Sequence, residues 1–428
     1  VHDVIVVGGG FAGVTAAREA ARDGRSTLLL EARDRLGGRT WTASWRGHDI
    51  EYGGGWVHWH QPHTFSEITR AGLSVELSGD PDATAWYVGE ERRSGTIAER
   101  DAIANAGWVR FVEGAEESLP NPHDPLHAID RLAAMDELTI AERVGQLGLD
   151  REQHEVLWAE LESLAHGPLD DAGAVSVLRW HALSGYSLAL TQYTGGRVTL
   201  STGTRGLLEA IASQAPFETR LETPVAAVRR RGDGVEVETR AGEVLPGRRA
   251  VVAVPLNTLG AIEFDPPLSE VKREGIALGQ ASRGIKIFIH AEGDPSAQNA
   301  IRPGHPFGYL DTEFQHEDGS QIMIGFGYDA GISDATDLAG VQASLDEIMP
   351  GYHAVAATAH DWLADEFSQG TWAIHRPGWY TRHYTEMRRP EGPVLLAGSD
   401  LAAGWAGFID GAIETGIRAG AWLHGPGA

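Results

Sequence analysis

The chain opens on a run that is apolar at every position, Val4-Ile5-Val6-Val7, the pattern of a strand covered on both faces. Residues 8–13 follow as a tight glycine turn, residues 12–23 carry helical periodicity, and Thr27–Leu30 repeats the buried-strand pattern. These pieces predict one βαβ unit. Further on, Val225-Ala226-Ala227-Val228, a turn at Gly232-Asp233-Gly234 and the alternating Val235-Glu236-Val237-Glu238 read as a hairpin. A buried strand at 251–254 stops at Pro255, and a last one at 394–397 leads through glycines into a helix over 411–423.

Two stretches of different character lie between. Residues 111–173 have helical spacing, with Thr139-Ile140-Ala141-Glu142 as a capping box. Residues 276–379 contain strand-like runs at 284–290 and 322–326. Pieces of one α/β unit at the start, middle and end of the chain predict a domain built discontinuously around an insertion. The expected fold class is therefore α/β, a Rossmann-like domain from residues 1–75, 205–275 and 380–428. An α+β domain from 76–204 and 276–379 is inserted in it.

Composition narrows the field. Over 428 residues, 42% hydrophobic and 22% charged content is that of a globular protein. A formal charge of −25 argues against a duplex-binding protein, which needs a basic footprint. Residues 111–173 hold fifteen acidic side chains against three arginines, about half of that excess, and are expected to form a solvated helical face. The chain has no cysteine, which removes thiolate metal sites, disulfides and cysteine nucleophiles. No stretch approaches the ~20 apolar residues of a membrane span, and no basic leader precedes the first strand, so a cytoplasmic address is expected.

The first motif with chemistry is Gly8-Gly9-Gly10-Phe11-Ala12-Gly13, which fits G-x-G-x-x-G. Gly8 permits the turn, Gly10 lets the backbone approach a pyrophosphate, and Gly13 lets helix pack on strand. The motif follows a strand and opens a helix, and Glu31 ends the next strand, where a carboxylate accepts from ribose hydroxyls. Glu31-Ala32-Arg33-Asp34-Arg35-Leu36-Gly37-Gly38-Arg39 then sets two guanidinium groups, Arg33 and Arg39, beside the phosphate region.

Together with Leu396-Ala397-Gly398-Ser399-Asp400, these motifs resemble the flavin-containing amine oxidase family over nearly the whole chain, nearest its bacterial alkaloid-oxidising members. The resemblance implies a GR2-type FAD-binding domain and oxidation of a small-molecule amine, with dioxygen reduced to hydrogen peroxide. It implies backbone contacts to adenine at Val225, and a ribityl contact at Asp400. Gly54, Gly55 and Trp56 would lie behind the flavin ring, and Gly407, Phe408 and Ile409 beside it. Lys286 matches the family lysine that reaches flavin N5 through a water. Trp372 and Phe408 match the two aromatic side chains that sandwich the amine, with no phenolic hydroxyl at either. Thr371 stands where monoamine oxidases carry the cysteine that binds flavin covalently, so non-covalent FAD is implied. The helix behind Gly411 would bring positive dipole to the flavin.

Lys286 also stands out by itself, as a charge within the apolar strand pattern of residues 284–290 that should point into a pocket or a partner. His58 and His60 would share a strand face, but no carboxylate pattern completes a metal site there and none is expected. Asp311, Glu160, Glu162 and His166 are candidates for a second polar contact to substrate, weighed against solvated surface charges. The substrate is expected to be a cyclic, aromatic or alkyl amine, such as a nicotine-type alkaloid or a monoamine. Other readings stay open: an L-amino-acid oxidase on the same frame, which would want an arginine clamp for the substrate carboxylate to which the sequence assigns neither Arg283 nor Arg302, a flavin desaturase, or a flavin-binding module without catalysis. An NAD-dependent dehydrogenase has no use for the block at 398–416. No nucleic acid or membrane partner is expected. A homodimer is left open, and a chain ending twelve residues after Gly416, with no anchor helix there, should be soluble.

Overall fold

The computed structural model describes residues 1–328 and 335–425. Strand His2–Val7 is central to an eight-stranded sheet. It pairs in parallel with Thr27–Leu30 on one side, Val4 opposite Thr27, and with Val244–Val252 on the other, Val7 opposite Val252. Residues 4–7 and 27–30 are buried throughout, as consecutive apolar residues in a two-sided parallel sheet must be. The hairpin Val225–Arg231 and Gly234–Thr239 forms antiparallel beside Val244–Val252, and Val394–Leu396 adds to the far end of that strand. Helix Phe11–Arg22 starts one residue before its expected position, and the last helix, Ile409–Leu423, starts two before. The two helices pack against each other on one face of the sheet.

A second sheet has seven strands, in the spatial order His353–Ala359, Gly284–Glu292, Gln321–Tyr328, Tyr309–Gln315, Gln298–Ile301, Ala83–Val88 and Glu91–Gly95. All its pairings are antiparallel except that of Gln298–Ile301 with Ala83–Val88. Its strands come from 83–95 and 284–359, and those of the first sheet from 2–30, 218–265 and 394–396.

The acidic stretch is helical, with helices at Ala115–Ser118, Ile129–Asp136, Ile140–Gly145 and Arg151–Ala165. The capping box at Thr139 forms, its hydroxyl accepting from Glu142 N. Its acids are not all solvated. Asp136 is buried and accepts from the backbone N–H and hydroxyl of Thr381, and Glu162 is buried and accepts from Gly304 N. Residues 53–61 form a loop rather than the strand expected around His58 and His60. The two rings still stack, 5.1 Å apart, and burial holds His58 down to about 4.

Candidate active site

A cavity of about 1160 Å³ runs from the glycine turn at 8–12 to the face of the second sheet that carries Lys286. At its first end the glycines divide by function. Gly13 is a packing glycine, because a Cβ there would lie 1.8 Å from Gly8 O. Gly8, at φ +102°, would put a Cβ 2.7 Å from Ala253 O. At Gly10 a Cβ would clash with nothing, meeting the backbone of Gly37 and Gly38 at 3.8 Å in ordinary contact, and the residue lines the cavity. Helix Phe11–Arg22 starts there with no side-chain cap and no acid in its first turn, leaving backbone N–H groups for an anion.

Glu31 is buried, its carboxylate fixed by Gly9 N at 2.6 Å and Arg33 N at 2.9 Å, with lone pairs left for a hydroxyl. Phe11, Ala12, Ala32, Gly38, Gly54, Gly55, Val225, Gly398, Gly407 and Ile409 line the cavity as well. Arg33 and Arg39 reach it, but both guanidinium groups also bind the protein. Arg33 pairs with Asp365 at 2.8 Å, and Arg39 donates to Thr371 O at 2.6 Å and pairs with Asp400. Of the residues the sequence assigned to the cofactor, Gly13 and Asp400 do not line the cavity. Asp400 is buried and accepts from Arg39, Ser399 Oγ and Leu256 N. Burial would raise its pKa, but Arg39 holds it below the usual carboxylate range.

Lys286 lies at the other end. Its Nζ donates to Glu51 O at 3.0 Å and Gly53 O at 2.6 Å and stands 4.5 Å from the Trp56 ring centre. Two of three N–H groups are thereby used. Burial lowers its pKa to about 8, against the raising influence of Glu51 and Glu313. Trp372 stacks on His166 with ring centres 4.4 Å apart and donates to Leu164 O at 2.9 Å. His166 Nε2 donates to Ile285 O, so its Nδ1 accepts from Thr371 Oγ1, and Ser282 Oγ donates to Thr371 in turn. Burial drives His166 down to about 3, with nearby Lys286 lowering it further, which keeps this tautomer neutral. Phe408 is braced edge-on by Trp180 and Trp405. Lys286, Trp372, Phe408 and Trp56 all line the one cavity.

Asp311, Glu160 and His166 also line it and are not solvated surface charges; Glu162 does not line it. Sequence reasoning missed Tyr309, Glu313, Phe326 and Arg100 on the same wall. The helix expected to bring positive dipole carries a fully buried acid in its first turn. Asp410 accepts from Thr64 N at 2.8 Å and contacts His63 at 3.1 Å, so the positive end is offset there.

A match to the family described as flavin containing amine oxidoreductase covers residues 11–421. The chain belongs to that family. Among relatives of this flavin amine oxidoreductase, pseudooxynicotine dehydrogenase of a Pseudomonas species is 37% identical over 98% of the chain and 85% of its own length. (S)-6-hydroxynicotine oxidase of Paenarthrobacter nicotinovorans is 30% identical over 97% of each. A solved structure of wild-type putrescine oxidase with putrescine superposes with TM-score 0.82 at 22% identity, over 99% of this chain and 98% of that one. The FAD that membership implies fits the residues present. The cavity-lining Gly10, the uncapped helix start and the fixed Glu31 carboxylate suit a dinucleotide. Among the described residues no helix is long and apolar enough to cross a membrane.

Proposed function

We propose that the chain oxidises a small amine at its α-carbon, with Lys286, Trp372 and Phe408 at the reacting end and dioxygen as terminal acceptor. The observation that carries this is the single cavity joining the dinucleotide turn to those three side chains. Residues 1–75, 205–275 and 380–428 would hold FAD, and 76–204 with 276–379 the substrate. Bound FAD supplies the two-electron acceptor for the hydride of the amine α-carbon. With no cysteine in the chain, the cofactor is held without a thioether.

The protein's part is binding, orientation and proton control. Trp372 and Phe408 flank the amine, and the stack on His166 with the bond to Leu164 O fixes the plane of Trp372. Lys286 ties the backbone at 51–53 to the second sheet and keeps one N–H for the cavity. The imine product leaves and is hydrolysed by bulk water, and dioxygen is returned as hydrogen peroxide. Apolar and aromatic walls at Ile324, Phe326, Phe288 and Trp56 suit a cyclic, aromatic or alkyl amine. The nicotine-type names of the relatives favour an alkaloid amine. Neither Arg283 nor Arg302 lines the cavity, and acids occupy the wall, which disfavours an amino-acid substrate.

A second reading concerns the acceptor alone. One relative is named a dehydrogenase and another an oxidase, so an acceptor other than dioxygen is the competing assignment. Turnover of an amine in air, with one peroxide per amine consumed, supports dioxygen. Turnover that starts only when a one-electron dye is added supports the other acceptor. No turnover under either condition would refute amine oxidation.

A further inference from the structure

Two of the 428 residues are lysines, Lys272 and Lys286, and both are buried. Lys272 touches a counter-charge, Glu391 at 3.0 Å. Lys286 touches none among the described residues, and its ammonium is held by the carbonyls of Glu51 and Gly53. A buried cation held by dipoles alone gives up its proton readily unless a nearby anion opposes this. The difference matters for the cavity. A neutral lysine has two N–H groups, and the two carbonyls take both, so it would turn a lone pair to the cavity. The third N–H exists only on the ammonium.

The residue that lends its carbonyl to Lys286 also carries a charge. Glu51 ends the strand His48–Glu51, and its side chain reaches the start of helix Gly203–Ala212. There Oε1 accepts from Thr204 N and Thr42 Oγ1, each at 2.7 Å, and Oε2 from Thr204 Oγ1 at 2.9 Å. The helix has no side-chain cap from Thr202 and no acid in its first turn, so Glu51 supplies both from another strand. The chain leaves room for it: a Cβ at Gly203 would lie 2.9 Å from Oε1, and one at Gly55 2.9 Å from Glu51 Cβ.

We propose that Glu51 is the positioning residue of Lys286. Anchored at the helix start, it fixes the carbonyl that receives the ammonium, and its carboxylate keeps that ammonium charged, with a donor facing the cavity. This concerns the reacting end of the amine oxidation proposed above and rests on that reading for its part in turnover. Burial brings Lys286 down to about 8, and Glu51, ahead of Glu313, resists the fall. Burial raises Glu51, against its three hydrogen bonds and Lys286. The other groups facing Lys286 are Glu313, His166 and the rings of Trp56 and Phe326. His166 is neutral, and burial raises Glu313 with only Lys286 against it, whereas three donors hold the charge on Glu51.

The test reads the protonation of Lys286 directly. FAD-loaded enzyme with lysine carbon-13-labelled at Cε should give two NMR signals, which Lys286→Met assigns. The wild-type Lys286 signal should titrate near 8. Glu51→Gln keeps the shape of the side chain at Thr42 and Thr204 and removes its charge. It should lower the Lys286 midpoint by about one pH unit and leave Lys272 unmoved. Glu51→Asp restores the charge and should recover most of that fall. The pH profile of flavin reoxidation by dioxygen should move down with the midpoint, at unchanged FAD content. A Lys286 midpoint unaltered in Glu51→Gln would overturn the proposal, as would an equal shift of both lysines. A wild-type Lys286 already neutral at pH 7 would overturn it without any variant. The titration needs no amine turnover, so an enzyme whose flavin no amine reduces would remove the amine-oxidation reading while Glu51 is still judged by the Lys286 signal.

Discussion

Lys286→Met tests whether the buried ammonium is held at a cost to the fold. In the unfolded chain the lysine keeps its proton to its ordinary 10.5; in the folded chain burial brings this to about 8. Between those values the unfolded state binds more protons, so stability rises with pH. The charged lysine destabilises the fold in full below about 8 and not at all above about 10.5. At 1.36 kcal/mol per pH unit, the difference is about 3 kcal/mol. Methionine removes that penalty but also the two hydrogen bonds to Glu51 O and Gly53 O, a loss of roughly 1–3 kcal/mol for each carbonyl left bare. Near pH 7 the two effects largely cancel, and wild type and variant should unfold within about 2 kcal/mol of each other. By pH 10.5 wild type should have gained about 3 kcal/mol on the variant. The assay is urea unfolding of both proteins at equal excess of FAD at the two pH values. A gap that does not change with pH would refute the reasoning. In the same variant amine oxidation should slow with FAD content intact, and loss of FAD would make Lys286 a structural residue.

The glycine turn separates cofactor contact from packing. Gly10→Ala should keep its unfolding temperature without cofactor but lose FAD occupancy, because the added Cβ makes only ordinary 3.8 Å contact with Gly37 and Gly38 at a position that lines the cavity. Gly13→Ala should lose both, its Cβ being 1.8 Å from Gly8 O, and equal behaviour of the two would remove the assignment of Gly10. Trp372→Phe deletes the bond to Leu164 O, worth about 1 kcal/mol, and should lower amine turnover more than FAD content. Unchanged turnover in Trp372→Ala would take Trp372 out of the amine site. A simple alkylamine is only ~0.1% neutral at pH 7, so kcat/KM should rise steadily between pH 6 and 9 if the neutral amine reacts. A flat profile would contradict that.

The parallel sheet was legible because its strands are buried on both faces and so read as unbroken apolar runs at 4–7 and 27–30. The G-x-G-x-x-G turn and Glu31 were legible for the same reason, since their position relative to those runs gives the motif its meaning. Most of the antiparallel sheet was not. In Tyr309-Leu310-Asp311-Thr312-Glu313 Leu310 is the one apolar residue, the usual mark of a segment in water, but here Tyr309, Asp311 and Glu313 line a cavity. Period alone does not distinguish the two surroundings. The acids of 111–173 misled in the same way, because Asp136, Glu160 and Glu162 point inward, and Glu152 and Glu155 accept from Trp86 Nε1 and Gly89 N. The buried Asp410 at the start of the last helix had no sequence signal, since its partners His63 and Thr64 lie far away in the chain.

Anaerobic titration of the FAD-loaded protein with a panel of primary, secondary and cyclic amines, followed by the visible absorbance of the oxidised flavin, tests amine oxidation at this site most directly. At least one amine should bleach the flavin in proportion to the amine added, with the imine or its hydrolysis product recovered in equal amount. Full retention of the oxidised spectrum with every amine, in a protein that binds FAD, would contradict amine oxidation at this site.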